Sequence, residues 1–214
     1  MAYTTIDNGE KHFNTVLWTG DASSDKSISG VGFQPDWVWA KNRSDSNDHQ
    51  MIDSNRGAGK ILRTNSTGAE LTRSSDVGAG GLQNFESDGF DVHSTTTNTN
   101  LNDNGELNVG WCWKVNGGTT STNNDGSITS TVQANTTAGF SILTYSANAT
   151  AGATVGHGLG TTPAVVILKK RSGTGDGNWM VGHKAYVGNA AENVALDGNS
   201  YVVSADDQAG LNPV

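Results

Sequence analysis

The segment "GVGFQPDWVWAKNRS", residues 30–44, begins as a glycine-rich turn and continues as a short, strongly apolar strand. Pro35 suits the start of a strand, where its missing N–H does no harm to the ladder. Trp37 and Trp39 fall on one side of the strand, whereas Val38 and Ala40 fall on the other. Both sides are therefore apolar. We expect the strand to be covered on one side by an opposite sheet and on the other by a second domain or subunit.

A second segment, "GLGTTPAVVILKKRS" at 158–172, repeats this pattern. Aligning Pro35 with Pro163 pairs Gly30 with Gly158, Gly32 with Gly160, Val38 with Val166, Lys41 with Lys169, Arg43 with Arg171 and Ser44 with Ser172. Outside the segment, the same order pairs Phe13 with Phe140, Met51 with Met180, and "LRTNS" (62–66) with "LDGNS" (196–200). Matches that keep their order over about 60 positions predict a duplicated unit.

Short bursts of alternating apolar residues, separated by Gly, Asn, Asp, Ser and Thr, predict an all-β protein. The strongest strand patterns cover residues 15–19, 37–41, 107–114, 141–145 and 165–170. Weaker ones lie near Met51, Leu82, Phe90, Val132, Trp179, Val194 and Tyr201. In "ELNVGWCWK" the residues Leu107, Val109, Trp111 and Trp113 share one face. We expect each copy to bury an equivalent tryptophan or aliphatic row.

A unit of about 120 residues with seven or more short strands has the size of one β-sandwich. The pattern predicts a first sandwich at 1–116, a Gly/Ser/Thr/Asn linker at 117–129 and a second sandwich at 130–214. The second copy continues for only fourteen residues past its "NS", so it is predicted to lack closing strands. Three explanations stay open: the chain is a fragment, another chain completes the sheet, or the copy has degenerated.

Composition excludes several classes of function. The formal net charge of −8 opposes binding to nucleic acid or to an anionic membrane. The start of the chain has no signal-peptide pattern, and the chain has no apolar run of about 18 residues, so membrane insertion is not expected. Cys112 is the single cysteine and stands between two tryptophans, which favours a buried strand thiol over a reactive nucleophile.

Two glycine-rich motifs resemble nucleotide sites without fitting them. "NRGAGKI" (55–61) lacks the first glycine and the final Ser or Thr of a phosphate-binding loop, so we interpret it as a turn into a strand. "GHGLG" (156–160) precedes a predicted strand, whereas a dinucleotide fingerprint opens a helix. The five histidines are scattered and are interpreted as surface or loop residues.

Two acidic motifs resemble catalytic or metal sites. In "ESDGFD" (86–91), Glu86 and Asp88 could share a face as in sandwich-fold glucanases, but Asp88-Gly89 indicates a turn. "NLNDNG" (100–105) resembles a calcium loop, yet Trp111 stands where the bidentate acid is required. An Asn-Gly hairpin is the main interpretation and a weak cation site the alternative. We predict no catalytic, cofactor-binding or metal-ligating residues.

Several stretches resemble a family of repeated virion proteins of marine bacteriophages and cyanophages: "YTTIDN", "GVGFQPDWVWAKNRS", "FESDGFDV", "GWCWKVNGGT", "NNDGSITSTVQANTTAGFSILTYS" and "TVGHGLGTTPAVVILKKRS". The resemblance covers the chain to about Ser200 and is most specific over 124–172. It implies concanavalin A-like, LamG-type jelly-roll domains in a tail-fibre or structural protein. It also implies an oligomer, with a trimer as the usual choice, and no catalytic residue to transfer.

The favoured function is therefore a non-enzymatic virion component that contacts other virion proteins and contributes to host attachment. A capsid decoration protein is one alternative. A carbohydrate-binding module is another, in which outward aromatic rings would stack on sugars. Trp18 and Trp179 are the candidate residues for contact with a sugar or partner, provided that they are exposed.

Overall fold

The computed structural model describes residues 6–72, 81–94, 101–173, 177–183, 194–196 and 200–203. As the alternating patterns predict, the protein is all-β: one 3₁₀ turn at Gly9–Lys11 accompanies seventeen described strands, which pair antiparallel in several sheets. The finer assignment to a jelly roll stays a prediction. The chain divides into two compact units. Unit 1 comprises Met1–Ser66 and Glu70–Gly118, and unit 2 comprises Thr67–Ala69 and Thr119–Val214.

Unit 1 is built from two sheets. Its described strands are β1 (Phe13–Thr19), β2 (Lys26–Ser29), β3 (Trp37–Asn42), β4 (Gln50–Asp53), β5 (Lys60–Arg63), β6 (Leu71–Thr72), β7 (Gly81–Glu86), β8 (Gly89–His93) and β9 (Leu107–Trp113). The larger sheet has the order β1-β9-β3-β4-β5-β6, and the smaller has the order β2-β8-β7. Strand β9 therefore lies between β1 and β3, although it is the last of the nine in sequence.

The core of unit 1 draws side chains from both sheets. The larger sheet contributes Val16, Trp18, Val38, Ala40, Ile52, Ile61 and Cys112, and the smaller contributes Ile28, Leu82, Phe90 and Val92. Trp18 meets Phe90 edge-on, with ring centroids 5.6 Å apart. Such aromatic contacts between sheets stabilise the unit mainly by removing large apolar surfaces from water.

Unit 2 has eight described strands and smaller sheets. The strands are β10 (Ser121–Asn123), β11 (Ser130–Asn135), β12 (Phe140–Tyr145), β13 (Ala153–Gly156), β14 (Val165–Lys169), β15 (Trp179–His183), β16 (Val194–Leu196) and β17 (Ser200–Val203). They form the groups β10-β11-β12, β13-β17-β16 and β14-β15. Its core cluster contains Ile128, Ala153, Val155 and Leu168, with partly buried Leu143, Tyr145, Val166 and Met180 packed against it.

Every strand predicted from alternation is confirmed. The alternation does not predict five short strands, β2, β5, β6, β10 and β13, which have two to four residues each. Of these, β5 is expected only as the strand that follows the turn "NRGAGKI". Strand β10 falls inside the stretch whose composition predicts a linker.

The repeated glycines adopt the same backbone conformation in both units. Gly30 and Gly32 have φ of 88° and 85°, and Gly158 and Gly160 have φ of 71° and 67°. This left-handed region strongly favours glycine, which explains why both copies carry the residue at these points. Each glycine pair precedes a proline and then a strand, β3 in unit 1 and β14 in unit 2.

The hairpins β7–β8 and β16–β17 have matching registers. Phe85 pairs with Phe90 in the first, and Leu196 pairs with Tyr201 in the second. In addition, β8 pairs with β2 as β17 pairs with β13. The last two strands of unit 2 therefore correspond to β7 and β8.

This correspondence overturns the alignment of 62–66 with 196–200. Residues 60–63 form β5, which pairs with β4 and β6 and has no partner in the smaller sheet. Ser66 lies beyond β5, whereas Ser200 begins β17, so these two serines do not correspond. The reason is that only residues 184–193 separate β15 from β16, whereas residues 54–80 separate β4 from β7.

The alignment of Met51 with Met180 is wrong by one residue. Trp39 pairs with Met51, whereas its counterpart Ile167 pairs with Val181. Met180 consequently packs against the core of unit 2, while Met51 lies on the other side of its sheet. A shift of one residue reverses the face on which a strand residue lies, so the error matters for packing.

Candidate binding face

Strand β9 directs its small residues into the core and its large ones outward. Asn108, Gly110 and Cys112 are buried, whereas Trp111 and Trp113 on the alternate positions are half-buried. The sequence predicts the alternation correctly without deciding which face is the core, and the core lies on the side of Asn108, Gly110 and Cys112. The buried row that we expected in each copy is the aliphatic one in unit 1, where Val38 and Ala40 are buried.

Packing against the smaller sheet explains this orientation. A side-chain carbon at Gly110 would lie 3.3 Å from the Trp18 ring and 3.4 Å from the Phe90 ring. Because Trp18 and Phe90 already occupy the space, the core admits only small residues from β9. The tryptophans of β9 are left on the outer side of the larger sheet.

Five aromatic residues meet on that outer side and define what we call the aromatic face. Strand register places Phe13, Trp113 and Trp37 in one row, and Trp111 and Trp39 in the next. Ring centroids are 4.7 Å apart for Phe13 and Trp113, 4.4 Å for Trp37 and Trp113, and 5.6 Å for Trp39 and Trp111. These tilted contacts between neighbouring strands order the rings as a continuous layer.

Exposed aliphatic residues extend the aromatic face along the strands. Leu17 is 64% exposed and Leu107 is 44% exposed, and both lie on the same side of the sheet as the rings. One edge of the face is held by Trp39, whose Nε1 donates a hydrogen bond to Thr64 Oγ1 at 3.2 Å. A contiguous apolar surface of this kind typically marks a contact surface for another molecule.

Trp18, a candidate for surface contact, is a core residue. Its side chain is buried, and its Nε1 donates a hydrogen bond to the Leu101 carbonyl oxygen at 2.7 Å. Because both the ring and its polar atom are already engaged, Trp18 is not available to stack on a sugar. The condition that Trp18 is exposed is therefore not met.

Trp179, the second candidate, is half-buried in unit 2 beside its strand neighbour Lys169. The Lys169 ammonium lies 5.9 Å from the centre of the indole ring. It also donates hydrogen bonds to four carbonyl oxygens, those of Thr67, Gly68, Lys170 and Gly177. Burial and then the nearby charge of Lys170 lower the pKa of Lys169. One side of Trp179 is thus engaged by a cation that the backbone holds in place.

The motif "ESDGFD" forms a turn, as its Asp-Gly pair predicts. The Asp88 carboxylate accepts hydrogen bonds from Gly32 N at 2.6 Å and Gly30 N at 3.1 Å. It therefore ties the turn of the β7–β8 hairpin to the glycine-rich turn before β3. An acid that is occupied by backbone donors in this way has a structural role.

The motif "NLNDNG" also has a structural role. Asn102 is buried, and its Nδ2 donates to Asp21 Oδ1 at 3.2 Å and to the Ser23 carbonyl oxygen at 3.0 Å. Hydrogen bonds from Ser23 and then Lys26 hold the pKa of Asp21 well below its usual range. Within the described residues, no group of three or more His, Cys, Asp or Glu side chains could hold a metal ion.

The turn "NRGAGKI" contains an ion cluster that the sequence does not reveal. The side chain of Arg56 is only 3% exposed and contacts two acids whose side chains are 7% and 9% exposed, with Nε 2.6 Å from Asp53 Oδ2 and Nη1 3.0 Å from Glu70 Oε2. Its guanidinium also donates to the Met51 and Lys60 carbonyl oxygens. A local pattern could suggest the contact with Asp53, but no sequence signal indicates Glu70.

Asp36 is a second buried acid that sequence reasoning missed. Its carboxylate accepts hydrogen bonds from Ser54 Oγ and from the backbone N–H groups of Val115, Gly117 and Gly118, at 2.6–2.9 Å. The three backbone donors belong to the segment that follows β9, and Asp36 fixes that segment in place. Because these three donors lie about 80 positions from Asp36 along the chain, only the folded structure brings them together.

The remaining candidates from the sequence are the single cysteine and the histidines. Cys112 is fully buried, as its neighbours predict, and burial raises the pKa of its thiol to about 12. His157 lies in a loop as expected, but it is buried there, and its Nδ1 accepts a hydrogen bond from Leu159 N at 3.2 Å.

Across the described part of the chain, no helix has the length and apolarity needed to cross a membrane.

The family model for a domain of unknown function, DUF7483, matches residues 8–211. The chain belongs to the DUF7483 family. Because this match spans both units, the family's domain corresponds to the pair rather than to one copy. Neither a curated protein nor a solved structure matches the chain significantly.

Proposed function

We propose that this DUF7483 protein is a non-enzymatic structural component of a phage virion, in a tail fibre or similar appendage that contributes to host attachment. Each unit is proposed to be a β-sandwich of the jelly-roll type. The observation that carries the proposal is the aromatic face, an ordered layer of four half-buried tryptophan rings and the exposed Phe13 ring on the strands β1, β9 and β3 of the larger sheet. This layer suits contact with another macromolecule. In the two motifs that resemble catalytic or metal sites, Asp88 and Asn102 hold backbone segments together, and this supports a structural interpretation of those motifs.

The proposed partner at the aromatic face is another copy of the chain. Tryptophan and other aromatic residues are enriched at protein interfaces, and closed symmetry is the usual arrangement of identical subunits. A trimer fits the resemblance to phage appendage proteins. The net charge of −8 makes nucleic acid a poor partner.

Light scattering on the purified chain tests this assignment. We expect an oligomer that the double variant Trp37→Ala/Trp113→Ala converts to monomers, because both rings belong to the row of three aromatic residues that includes Phe13. The variant Trp179→Ala removes a half-buried tryptophan of unit 2 and should leave the oligomer intact. A monomeric wild-type chain, or an oligomer that survives the double substitution, would contradict the proposal.

Carbohydrate binding is a second candidate, which the same face favours. Flat aromatic rings stack on the apolar faces of sugars, and here they form two adjacent rows. Glycan-array binding that is lost in Trp39→Ala, while light scattering is unchanged, would support this function over self-association. If the chain is instead a capsid decoration protein, antibodies against it will label phage capsids rather than tails in electron micrographs.

A further inference from the structure

Unit 2 repeats the strands that surround β9 in unit 1. Strands β12, β13, β14 and β15 correspond to β1, β2, β3 and β4, and β16–β17 corresponds to β7–β8 by register. In unit 1, β9 pairs along its whole length with β1 on one side and β3 on the other. The counterparts of these neighbours are β12 and β14.

No strand of unit 2 occupies the position of β9 among the described residues. Among these residues, β11 is the only strand that pairs with β12, and β15 is the only strand that pairs with β14. Residues of both strands nevertheless pack against the same core cluster. We call the position between β12 and β14 the β9 slot.

Exposure of the flanking side chains agrees with this correspondence. The core-facing residues Val16 and Trp18 of β1 are buried, whereas their counterparts Leu143 and Tyr145 in β12 are only half-buried. On the outer side, Trp39 is half-buried beside Trp111, but the counterpart Ile167 is 46% exposed. On both faces of the sheet, unit 2 therefore exposes apolar side chains whose counterparts in unit 1 are covered by β9 or its tryptophans.

We propose that the β9 slot binds an extended strand of a partner polypeptide with the alternation of β9. Its inward positions would be small, because the inner side of the slot is lined by Leu143 and Leu168. Its outward positions would be aromatic, to lie between β12 and the exposed Val165 and Ile167 of β14. Backbone hydrogen bonds to both neighbours would supply affinity, and the alternating side chains would supply selectivity.

Unit 1 provides the probe. A fluorescein-labelled peptide with the sequence of residues 105–115, carrying C112A to prevent oxidation, is titrated with the full chain and followed by anisotropy. The matched control peptide carries G110P in addition, because proline removes a backbone donor and disrupts an interior strand. We expect saturable binding of the first peptide and none of the second.

Hydrogen exchange locates the bound peptide. The amides of 140–145 and 165–169 should exchange more slowly when the peptide is present, while those of 13–19 and 37–42 in unit 1 remain unchanged. Absence of binding, or protection at other strands, would overturn the proposal. So would full protection of 140–145 and 165–169 before the peptide is added, since the slot would then already be filled.

Two exposed neighbours supply a matched pair of chain variants. Ile167 on β14 flanks the slot, and its strand partner Val181 on β15 does not. Ile167→Glu should weaken peptide binding about fivefold by placing a charge beside the incoming aromatic residue. Val181→Glu adds the same charge and should leave binding unchanged. Equal affinities for the two variants would overturn the proposal, whatever the oligomeric state of the chain.

Discussion

Among the described residues, the two units differ chiefly in whether a strand joins the counterparts of β1 and β3. In unit 1, β9 joins β1 to β3, and the core-facing residues Cys112 of β9 and Val38 and Ala40 of β3 are completely buried. In unit 2, no described strand joins β12 to β14, and Val166 at the position of Val38 is only half-buried. Pairing and register of neighbouring strands are therefore determined by the sequence of each unit. Full burial of the core side chains depends in addition on β9, a strand that is distant in sequence from its neighbours β1 and β3.

A second difference concerns the residue after the repeated proline. Unit 1 has Asp36, which is buried and binds the segment following β9, whereas unit 2 has Ala164, which is exposed. A buried carboxylate stabilises a fold only when donors satisfy it, so alanine suits a unit that has no described counterpart of this segment. The exposed alanine at position 164 is therefore consistent with a unit in which no described strand takes the place of β9.

The largest expected effect comes from the Arg56 cluster, which should separate the stabilities of the units. Arg56→Ala leaves the Asp53 and Glu70 carboxylates buried without their cation, and should lower the free energy of unfolding by about 3–5 kcal/mol. Denaturation followed by tryptophan fluorescence measures this, because five of the six tryptophans lie in unit 1.

The matched control for that variant is Arg63→Ala. Arg63 contacts Asp48, and both side chains are about one-third exposed, at 34% and 36%. We expect a loss of only about 0–1 kcal/mol. Equal losses for the two arginine variants would contradict the claim that the buried cluster stabilises unit 1.

A smaller effect is expected when Asp36 is replaced by the residue that unit 2 carries. Asp36→Ala leaves three backbone N–H groups and the Ser54 hydroxyl without their acceptor, and should cost about 2–3 kcal/mol. The reverse change, Ala164→Asp, should give no gain because Ala164 is exposed. A stabilisation by Ala164→Asp would show that the two positions do not differ as described.

Gly110→Val tests the packing that turns the tryptophans outward. The added carbons would press on Trp18 and Phe90, and overpacking of this kind costs about 1–3 kcal/mol. Gly9→Ala is the control, since a side-chain carbon there meets no atom within 4 Å. Thermal unfolding of both variants measures the difference, and an unchanged melting temperature for Gly110→Val would refute the packing argument.

The smallest effect on stability concerns Cys112. Because burial raises the pKa of the thiol to about 12 in the folded state, its contribution to stability is present below its ordinary pKa and declines as the pH rises toward 12. At pH 8 the native protein should react with a thiol reagent only after denaturant is added. Rapid labelling of the native chain would mean that β9 is not held between β1 and β3.

The strands of both units could be predicted because alternation and turn residues are local signals. The side of β9 that faces the core could not, since parity alone does not distinguish a tryptophan row from a Gly-Cys row. That choice depends on Trp18 and Phe90 across the sheets. Of the aromatic face, only the β3 residues Trp37 and Trp39 were predicted to form an apolar side that a partner covers, and its β1 and β9 residues were missed for the same reason. The counterpart of β16–β17 was also missed, because only strand register identifies it.

The candidate site residues show the same limit. The sequence around Trp18 and Trp179 does not reveal how exposed either side chain is. In the structure Trp18 is a core residue, whereas Trp179 is half-buried beside Lys169. Glu70 joins Arg56 from fourteen positions away, and Asp36 binds a segment still more distant. Such contacts arise from tertiary packing, for which a single sequence carries no local signal.

The most direct test of the correspondence between the units is to supply unit 2 with its own copy of β9. In this variant a second copy of residues 93–115 follows Val203 in place of 204–214, because Val203 corresponds to Val92 in register. Hydrogen exchange is then measured at 140–145 and 165–169. We predict that these amides slow to the rates of β1 and β3 in the same molecule. Unchanged exchange in β12 and β14 would contradict the account.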